Sequence, residues 1–190
     1  MNSKPLRLAV VIGSTREGRF GPTVARWFAE IAARGGRMEV DVIDLAESRL
    51  PDTLTEQRPA EVAALAPRLA AADAFVIVTP EYNHSFPAPL KSAIDWYSGE
   101  WQAKPVGFVS YGGVSGGLRA VEQLRQIFAE LHAVTVQNTV MFQNAWTQFD
   151  GEGRLREPDR SERSAETMLR QIAWWGEALR EARKARPFAA

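Results

Sequence analysis

Three short segments of this sequence carry residue types that bind ligands. The first loop, Gly13 to Pro22, holds two hydroxyl side chains and two arginines, Arg16 and Arg19, just before a segment with helical periodicity. Hydroxyls, guanidinium groups, the unpaired amides of a helix start and the helix dipole all favour an anion. We therefore expect this loop to bind a phosphate. The alternative is a tight turn with solvated arginines.

The second loop, Thr79 to Pro89, combines three prolines with aromatic side chains and Asn83. Prolines stiffen the backbone, and a rigid rim with polar edges suits a flat heterocycle, whose nitrogens and carbonyls the amide of Asn83 and the backbone can hydrogen-bond. Pro-rich segments also occur as simple strand exits, so this pattern alone leaves both interpretations open.

The third loop, Ser110 to Gly117, contains four glycines, which allow a ligand to approach the backbone closely. It also matches the G-x-S-x-G pattern of α/β-hydrolases around Ser115. That fold needs a histidine downstream of the serine, and the later one, His132, lies at the far end of a predicted helix of about fifteen residues, roughly 20 Å away. His84 precedes the serine. The sequence therefore disfavours a serine hydrolase.

The elements between these loops alternate between strands and helices. Short apolar segments predict five strands, at Leu6–Ile12, Met38–Ile43, Ala74–Thr79, Val106–Ser110 and Val134–Met141. Segments with helical periodicity separate them, and a last helix should be anchored by Met168, Ile172, Trp175 and Leu179. This order predicts a parallel sheet with helices on both faces. Ligands bind at the carboxyl ends of such strands, where the three loops lie.

Composition limits the possible functions. The 190 residues have zero formal net charge, 24 % charged and 45 % apolar residues, which predicts one globular domain over 1–190 and no role in binding nucleic acid. Absence of cysteine excludes disulfides, thiolate metal sites and a cysteine nucleophile. No segment is long enough for a membrane span, so we expect a cytoplasmic protein. Neither a P-loop nor a G-x-G-x-x-G motif follows the first strand.

Taken together, the three loops resemble the NADPH-dependent FMN reductase family of flavodoxin-like proteins, which includes quinone, azo-dye and chromate reductases. The similarity runs from about Leu6 to Met141 and is most specific in GSTR, TPEYNHSFPAPLKSAIDW and KPVGFVSYGGVSGG. The resemblance implies a flavodoxin-like, doubly wound α/β fold whose five-stranded parallel sheet has the order 2-1-3-4-5. It also implies FMN as the cofactor and NADPH or NADH as the electron donor.

The resemblance also implies which residues hold FMN. The phosphate would be bound by Ser14, Thr15 and Arg16 with the loop amides near Gly21. Arg19 stands where many relatives have a small hydroxyl residue, and it could add a second cation or point to solvent. The isoalloxazine would be lined by Pro80, Glu81, Tyr82 and Asn83, with its other edge closed by Ser110, Tyr111, Gly112 and Gly113.

Hydride would pass from the nicotinamide to the flavin and then to a quinone, azo compound, flavin or similar acceptor, in ping-pong order because one face serves both substrates. Histidine is the residue type that most readily exchanges protons near neutral pH, so His84 is a candidate proton donor or a rim residue. A flavodoxin-type electron carrier or flavin-binding sensor is the alternative function.

The family resemblance implies a homodimer or homotetramer with the flavin near the subunit interface. Trp96, Tyr97 and Trp101 form an aromatic cluster that could face such a partner. Ordinary packing under a loop is the other interpretation of this cluster.

Overall fold

A computed structural model of the chain describes residues 4–34 and 36–189. Its sheet is parallel throughout and has the order β2-β1-β3-β4-β5, as predicted. The strands are β1 Leu6–Ile12, β2 Met38–Asp44, β3 Ala74–Pro80, β4 Pro105–Gly112 and β5 Val134–Gln143. All five predicted strands are present, and their bounds differ from the prediction by at most two residues.

Helices cover both faces of this sheet. They are α1 Gly21–Ala33, α2 Leu45–Ser48, α3 Ala60–Ala71, α4 Ala88–Trp96, α5 Leu118–Glu130, α6 Ala145–Gln148 and α7 Pro158–Ala185. Side chains that alternate along β1 divide the core: Leu8 and Val10 pack with α1 and α7, whereas Ala9 and Val11 pack with α3, α4 and α5. Burial on both faces explains why β1 and β3 are almost entirely apolar.

The strand order places the first and second loops side by side. From β1 the chain passes to β2, which lies on one side of β1 in the sheet, and then to β3, which lies on the other side of β1. The strand order therefore reverses between β1 and β3. A crevice forms outside the carboxyl ends of the strands at such a reversal. The third loop follows β4, the next strand beyond β3. The fold therefore brings all three loops to one edge.

One packing detail of the last helix differs from the expectation. The last helix is anchored by Ala165, Met168, Ile172 and Gly176, whereas Trp175 is 37 % exposed. The close approach of Leu6 explains the change: a Cβ on Gly176 would lie 3.0 Å from Leu6 Cδ1, so α7 turns this glycine toward β1.

The aromatic cluster of Trp96, Tyr97 and Trp101 is buried, so it does not face a partner. Its polar atoms are satisfied inside the chain, because Tyr97 Oη donates to Val62 O at 2.9 Å and Trp96 Nε1 donates to Pro51 O at 2.8 Å. Trp101 packs 4.5 Å from the Phe75 ring and donates to Ile94 O. Ordinary packing is therefore the correct interpretation.

None of the helices in the described part of the chain has the length and apolar character needed to cross a bilayer.

Candidate functional site

The first loop connects β1 to α1 and leaves many hydrogen-bond donors free. The helix has Phe20 at its N-cap with no side-chain cap, and Pro22 stands in its first turn. Among the described residues, no acceptor is found for the backbone amides of residues 15–18, 20 and 21. Unpaired amides at a helix start bind anions. The geometry therefore fits the expected phosphate site.

The side chains of the first loop divide into exposed and buried groups. Ser14 is fully buried, and its Oγ shares a hydrogen bond with Tyr82 Oη at 2.8 Å, which joins the first loop to the second. Thr15 and Arg16 are exposed, and within residues 4–34 and 36–189 no carboxylate forms an ion pair with Arg16. Gly21 is buried as the first residue of α1. Arg16 thus remains available to a ligand.

Arg19 does not point to solvent, because its side chain is only 20% exposed. Its Nη2 forms an ion pair with the carboxylate of Asp44, at the end of β2. Asp44 in turn caps α2 by accepting a hydrogen bond from Ala46 N at 3.0 Å. This pairing leaves Arg19 Nε buried without a partner in the described structure. The pair fixes the first loop to β2, and a contact between Arg19 and phosphate stays a prediction.

The second loop folds back on itself in a tight turn after the buried Pro80. Tyr82 and Ser85 exchange two backbone hydrogen bonds of 2.8 and 2.9 Å around Asn83 and His84. Both central residues have left-handed backbones, with φ of 49° and 67°, a conformation that asparagine and histidine adopt more readily than most residues. The Asn83 side chain is exposed and has no hydrogen-bond partner in the described part of the chain.

Two side chains of α5 hold the second loop in place. Gln123 donates from Nε2 to His84 O at 2.8 Å and accepts from Ser85 Oγ at 2.7 Å. Arg119 donates to the Glu81 carboxylate from its guanidinium and also from its backbone N, the latter at 3.1 Å. Neither residue was predicted from the sequence. Their four-residue spacing, which places them on one face of the helix, is the signal that could have found them.

The carboxyl of Glu81 is ionised by this arrangement. Its side chain is only 6 % exposed. Burial alone would raise the pKa of Glu81, but hydrogen bonds from Ser115 and Arg119 outweigh it and hold the pKa below the usual range. Glu81 therefore serves as a fixed anion that joins the second loop to the start of α5.

The third loop is closed by its own hydrogen bonds. Ser110 is buried, and its Oγ donates to Gly116 O at 2.8 Å. The carbonyl of Gly113 accepts from Gly116 N and Asn144 N at 3.1 and 3.0 Å. Gly117, the N-cap of α5, has φ +93°, and a Cβ there would lie 2.5 Å from Ser110 Cβ. Only glycine fits this position, so the loop shape is built into the sequence.

The second and third loops also meet through their backbones. Glu81 N donates to Tyr111 O at 3.1 Å, and the neighbouring Gly112 lies against Glu81. The Tyr111 side chain points elsewhere: it is 94 % buried beneath the first loop, with its ring 6.2 Å from that of Phe20. Gly112 and Gly113 are partly exposed whereas the Tyr111 side chain is buried, so the two glycines present their backbone to a ligand and the Tyr111 phenol does not.

Ser115 lacks the partner that a serine hydrolase needs. It precedes α5, whereas His132 follows this helix of 13 residues, about 20 Å long. Its Oγ instead accepts a hydrogen bond from Gly117 N at 3.4 Å. The geometry gives the hydrolase alternative no support.

A cavity of about 360 Å³ lies away from the three loops, between the β1–β2 edge and α3. Its charged side chains include Arg68 and Asp41, which pair with each other through two hydrogen bonds. These groups have satisfied one another, so the cavity offers no comparable set of free donors. The three loops remain the candidate site.

Comparison with known proteins agrees with this geometry. The family described as NADPH-dependent FMN reductase matches residues 6–147, which include all three loops. The chain therefore belongs to the NADPH-dependent FMN reductase family. The expectations of an oxidoreductase, of FMN as cofactor and of a reduced nicotinamide as donor are confirmed at the level of this family.

Individual relatives cover different shares of the chain. An NAD(P)H-dependent FMN reductase of Schizosaccharomyces pombe is 37% identical over 123 residues, 58% of this chain and 60% of that protein. Quinone reductase of Escherichia coli (strain K12) is 41% identical over 143 residues, 70% of this chain and 75% of that protein. The chain thus spans about three fifths of the first relative and three quarters of the second.

Solved structures support the fold. FerB, a flavoenzyme NAD(P)H:(acceptor) oxidoreductase from Paracoccus denitrificans, superposes with a TM-score of 0.75. The match covers 91% of this chain and 98% of that one at 24% sequence identity. The predicted flavodoxin-like fold is therefore confirmed.

Proposed function

We propose that this chain is an FMN-dependent NAD(P)H reductase that binds FMN across the three loops and reduces a small acceptor. Quinones, azo compounds and other flavins are the acceptor classes. The observation that carries the proposal is the row of amides at the start of α1 that find no acceptor in the described residues, next to Arg16, which has no ion pair there. The loop with Asn83 follows the neighbouring strand β3 at the same edge of the sheet.

The residues at the start of α1 fit a phosphate monoester. Backbone amides without an acceptor in the described residues lie there, beside the exposed side chain of Arg16. An anion with several acceptor oxygens satisfies such an excess of donors. Ser14, Thr15 and Arg16 would hold the phosphate, with the amide of Gly21.

The second and third loops would hold the isoalloxazine. Pro80, Glu81, Tyr82 and Asn83 would line the ring, with the Asn83 amide donating to its polar edge. Gly112 and Gly113 would meet the other edge, because their missing side chains allow close approach. Ser110 would act from below by holding the third loop to Gly116 O.

Bound FMN supplies the redox chemistry by accepting a hydride from the nicotinamide and delivering electrons to the acceptor. The chain's own residues position this group and leave one face open. Since donor and acceptor would use that face in turn, we expect ping-pong kinetics. Initial-rate plots at several NADPH concentrations should give parallel lines, and intersecting lines would refute the shared face.

His84 would stand at the rim of the ring site. Its backbone is fixed by Gln123, while its side chain is exposed. A proton donated to a reduced quinone or azo nitrogen is the role that this placement allows. His84→Gln should then lower kcat with a quinone and leave flavin reduction by NADPH unchanged.

The surface around the third loop would form contacts between copies of the chain in a homodimer or homotetramer. Val114, Leu118, Met141 and Trp146 are 83%, 53%, 40% and 63% exposed, an unusual group of large apolar side chains next to one loop. Light scattering should give the mass of an oligomer, and Trp146→Glu should shift it toward the monomer. A monomeric wild-type protein would refute this assembly.

The decisive experiment is an absorption spectrum followed by anaerobic addition of NADPH. Flavin bands that bleach on addition, and return when a quinone is added, would establish the reductase. Bands that do not bleach would favour an electron carrier or sensor instead. A colourless protein that also fails to bind added FMN would overturn the proposal.

A further inference from the structure

An ion pair between Arg19 and Asp44 closes the first loop against the sheet. The loop leaves the sheet after Ile12, whose register partner on β2 is Asp44 itself. Arg19 then returns to this place and pairs with the Asp44 carboxylate through Nη2. The contact is mostly enclosed, because only 20% of the Arg19 side chain and 12% of the Asp44 side chain are exposed. The loop is therefore held at its start by β1 and near its end by β2.

Asp44 is a rigid anchor for this pair. Its backbone lies in β2, and its Oδ1 accepts a hydrogen bond from Ala46 N at 3.0 Å. Its backbone O also accepts from Ser48 Oγ at 3.1 Å. The remaining carboxylate oxygen, Oδ2, is the one that binds Arg19. Because the other bonds lie within β2 and α2, the carboxylate is oriented before any ligand binds.

The position of Arg19 also fixes the segment that precedes it. Arg19 N donates to Arg16 O at 3.2 Å, which closes a tight turn over residues 16–19. Gly18 in this turn has a left-handed backbone, with φ of 63°. Residues 15–18 are exposed, and their amides find no acceptor in the described structure. The paired Arg19 therefore holds the segment that carries these amides.

Asp44 also determines what Arg19 contributes to the electrostatic field at this site. Its carboxylate neutralises the guanidinium, so the pair as a whole adds little net charge that a phosphate would feel. Arg16, by contrast, is exposed and forms no ion pair within residues 4–34 and 36–189. The positive charge for an anion therefore comes from Arg16, whereas the pair of Arg19 and Asp44 contributes geometry.

We propose that Arg19 and Asp44 are positioning residues of the phosphate site, an inference that rests on the proposed function. Their pair holds residues 15–18 in the conformation that binds the FMN phosphate before FMN arrives. A loop that adopts this conformation only part of the time binds with an apparent Kd that is raised by the inverse of that fraction. Riboflavin has no phosphate, so its affinity does not depend on this loop.

Asp44→Asn and Arg19→Met test this role, because each removes one charge of the pair. Asparagine keeps the shape of Asp44 and can still accept from Ala46 N, so the first variant preserves the cap of α2. Apoprotein is titrated with FMN and with riboflavin, and binding is followed by quenching of flavin fluorescence. Both variants should raise the Kd for FMN by about three- to tenfold and leave the Kd for riboflavin unchanged.

Backbone order parameters from NMR relaxation give a second readout, which needs no flavin. Residues 15–18 should be ordered in the wild-type apoprotein, and their order parameters should fall in both variants. The double variant, which carries both substitutions, should bind FMN no more weakly than either single variant, because all three lack the same ion pair.

A second ion pair on the same strand provides the matched control. Asp41 of β2 pairs with Arg68 through two hydrogen bonds, but this pair joins β2 to α3 and not to the first loop. Asp41→Asn and Arg68→Met therefore remove the same two charges at another place on β2. Both should leave the affinity for FMN, the affinity for riboflavin and the order of residues 15–18 at wild-type values.

A direct contact between Arg19 and the phosphate makes the opposite prediction for Asp44. Asp44→Asn would then free the guanidinium for the ligand and tighten FMN binding, which would overturn the positioning role. Lower unfolding temperatures with an unchanged ratio of FMN to riboflavin affinity would also overturn it, because the pair would then serve stability alone. Failure of the wild-type protein to bind either flavin would instead refute the proposed function, so the two failures are distinguishable.

Discussion

The first loop differs from the second and third loops in how its polar groups are satisfied. In the first loop the amides of residues 15–18, 20 and 21 find no acceptor in the described structure, and Arg16 has no ion pair there. In the other two loops Glu81 is paired with Arg119, Gln123 holds the turn at His84, and Ser110 bonds to Gly116 O.

This difference divides the site into a part that folding completes and a part that a ligand completes. Residues 15–18 are exposed, so their amides are hydrated in the apoprotein and stay available to an anion. Paired side chains, in contrast, fix a loop before binding. Changes to the paired groups of the second and third loops should therefore lower the stability of the apoprotein, whereas changes to the unpaired groups of the first loop should weaken FMN binding and leave that stability unchanged.

The largest effect is expected from Gly117→Ala in the third loop. Its left-handed backbone costs an alanine about 1–2 kcal/mol, and the clash with Ser110 adds about 1–3 kcal/mol. The two costs should lower the unfolding temperature of the apoprotein by roughly 5–15 °C. Calorimetry measures this change. Gly151→Ala is the control, because a Cβ there meets nothing within 4 Å, and equal shifts in both variants would contradict the prediction.

Arg16→Ala should show the opposite behaviour. Loss of a charge-assisted hydrogen bond of about 1.5–3 kcal/mol weakens FMN binding by roughly ten- to a hundredfold. Riboflavin affinity and the unfolding temperature of the apoprotein should stay at wild-type values. Fluorescence titration measures both flavins, with Arg163→Ala, an exposed arginine of α7, as control. A variant that copurifies with a full complement of FMN would refute the role of Arg16 in binding the FMN phosphate.

Gln123→Ala sharpens the comparison by releasing the turn at Asn83 and His84. Two exposed hydrogen bonds are lost, and each contributes about 0.5–1.5 kcal/mol at most. Affinity for FMN and riboflavin should fall together by about two- to tenfold, because the ring contact and not the phosphate contact is disturbed. Gln126→Ala, on the same helix and also exposed, is the control. A loss confined to FMN would contradict this role.

The smallest effect is expected from the pH dependence of Glu81. Hydrogen bonds hold the folded pKa of this carboxyl below its ordinary value. The resulting stability is fully present above the unfolded pKa and is lost as pH falls through the folded pKa. The free energy of unfolding, measured with urea, should therefore be higher for wild type than for Glu81→Gln. This difference should be largest near about pH 7 and shrink below about pH 4. A difference that stays constant with pH would disprove the ionised pair.

Much of the fold follows from local sequence patterns. Apolar segments of five to eight residues predicted β1 to β5 to within two residues. Burial on both faces explains the apolar composition of β1 and β3. The short helices α2 and α6 were missed, because four residues give too little periodicity to detect. Trp175 was wrongly placed in the core, because the close packing of Gly176 against Leu6 is set by another element.

The sequence by itself determined that three polar loops follow three parallel strands, because the order of strands and helices and the glycines of the third loop are local properties. Only the tertiary structure decided which donors those loops leave free. Arg19 meets Asp44 from β2, and Arg119 and Gln123 reach the second loop from α5. Strand alternation predicts that Tyr111 and Val109 lie on the same face of the sheet. Which helices cover that face depends on how the chain crosses the sheet, and the structure shows that they are α1 and α7. Partners of this kind are far apart in sequence, so local patterns carry no information about them.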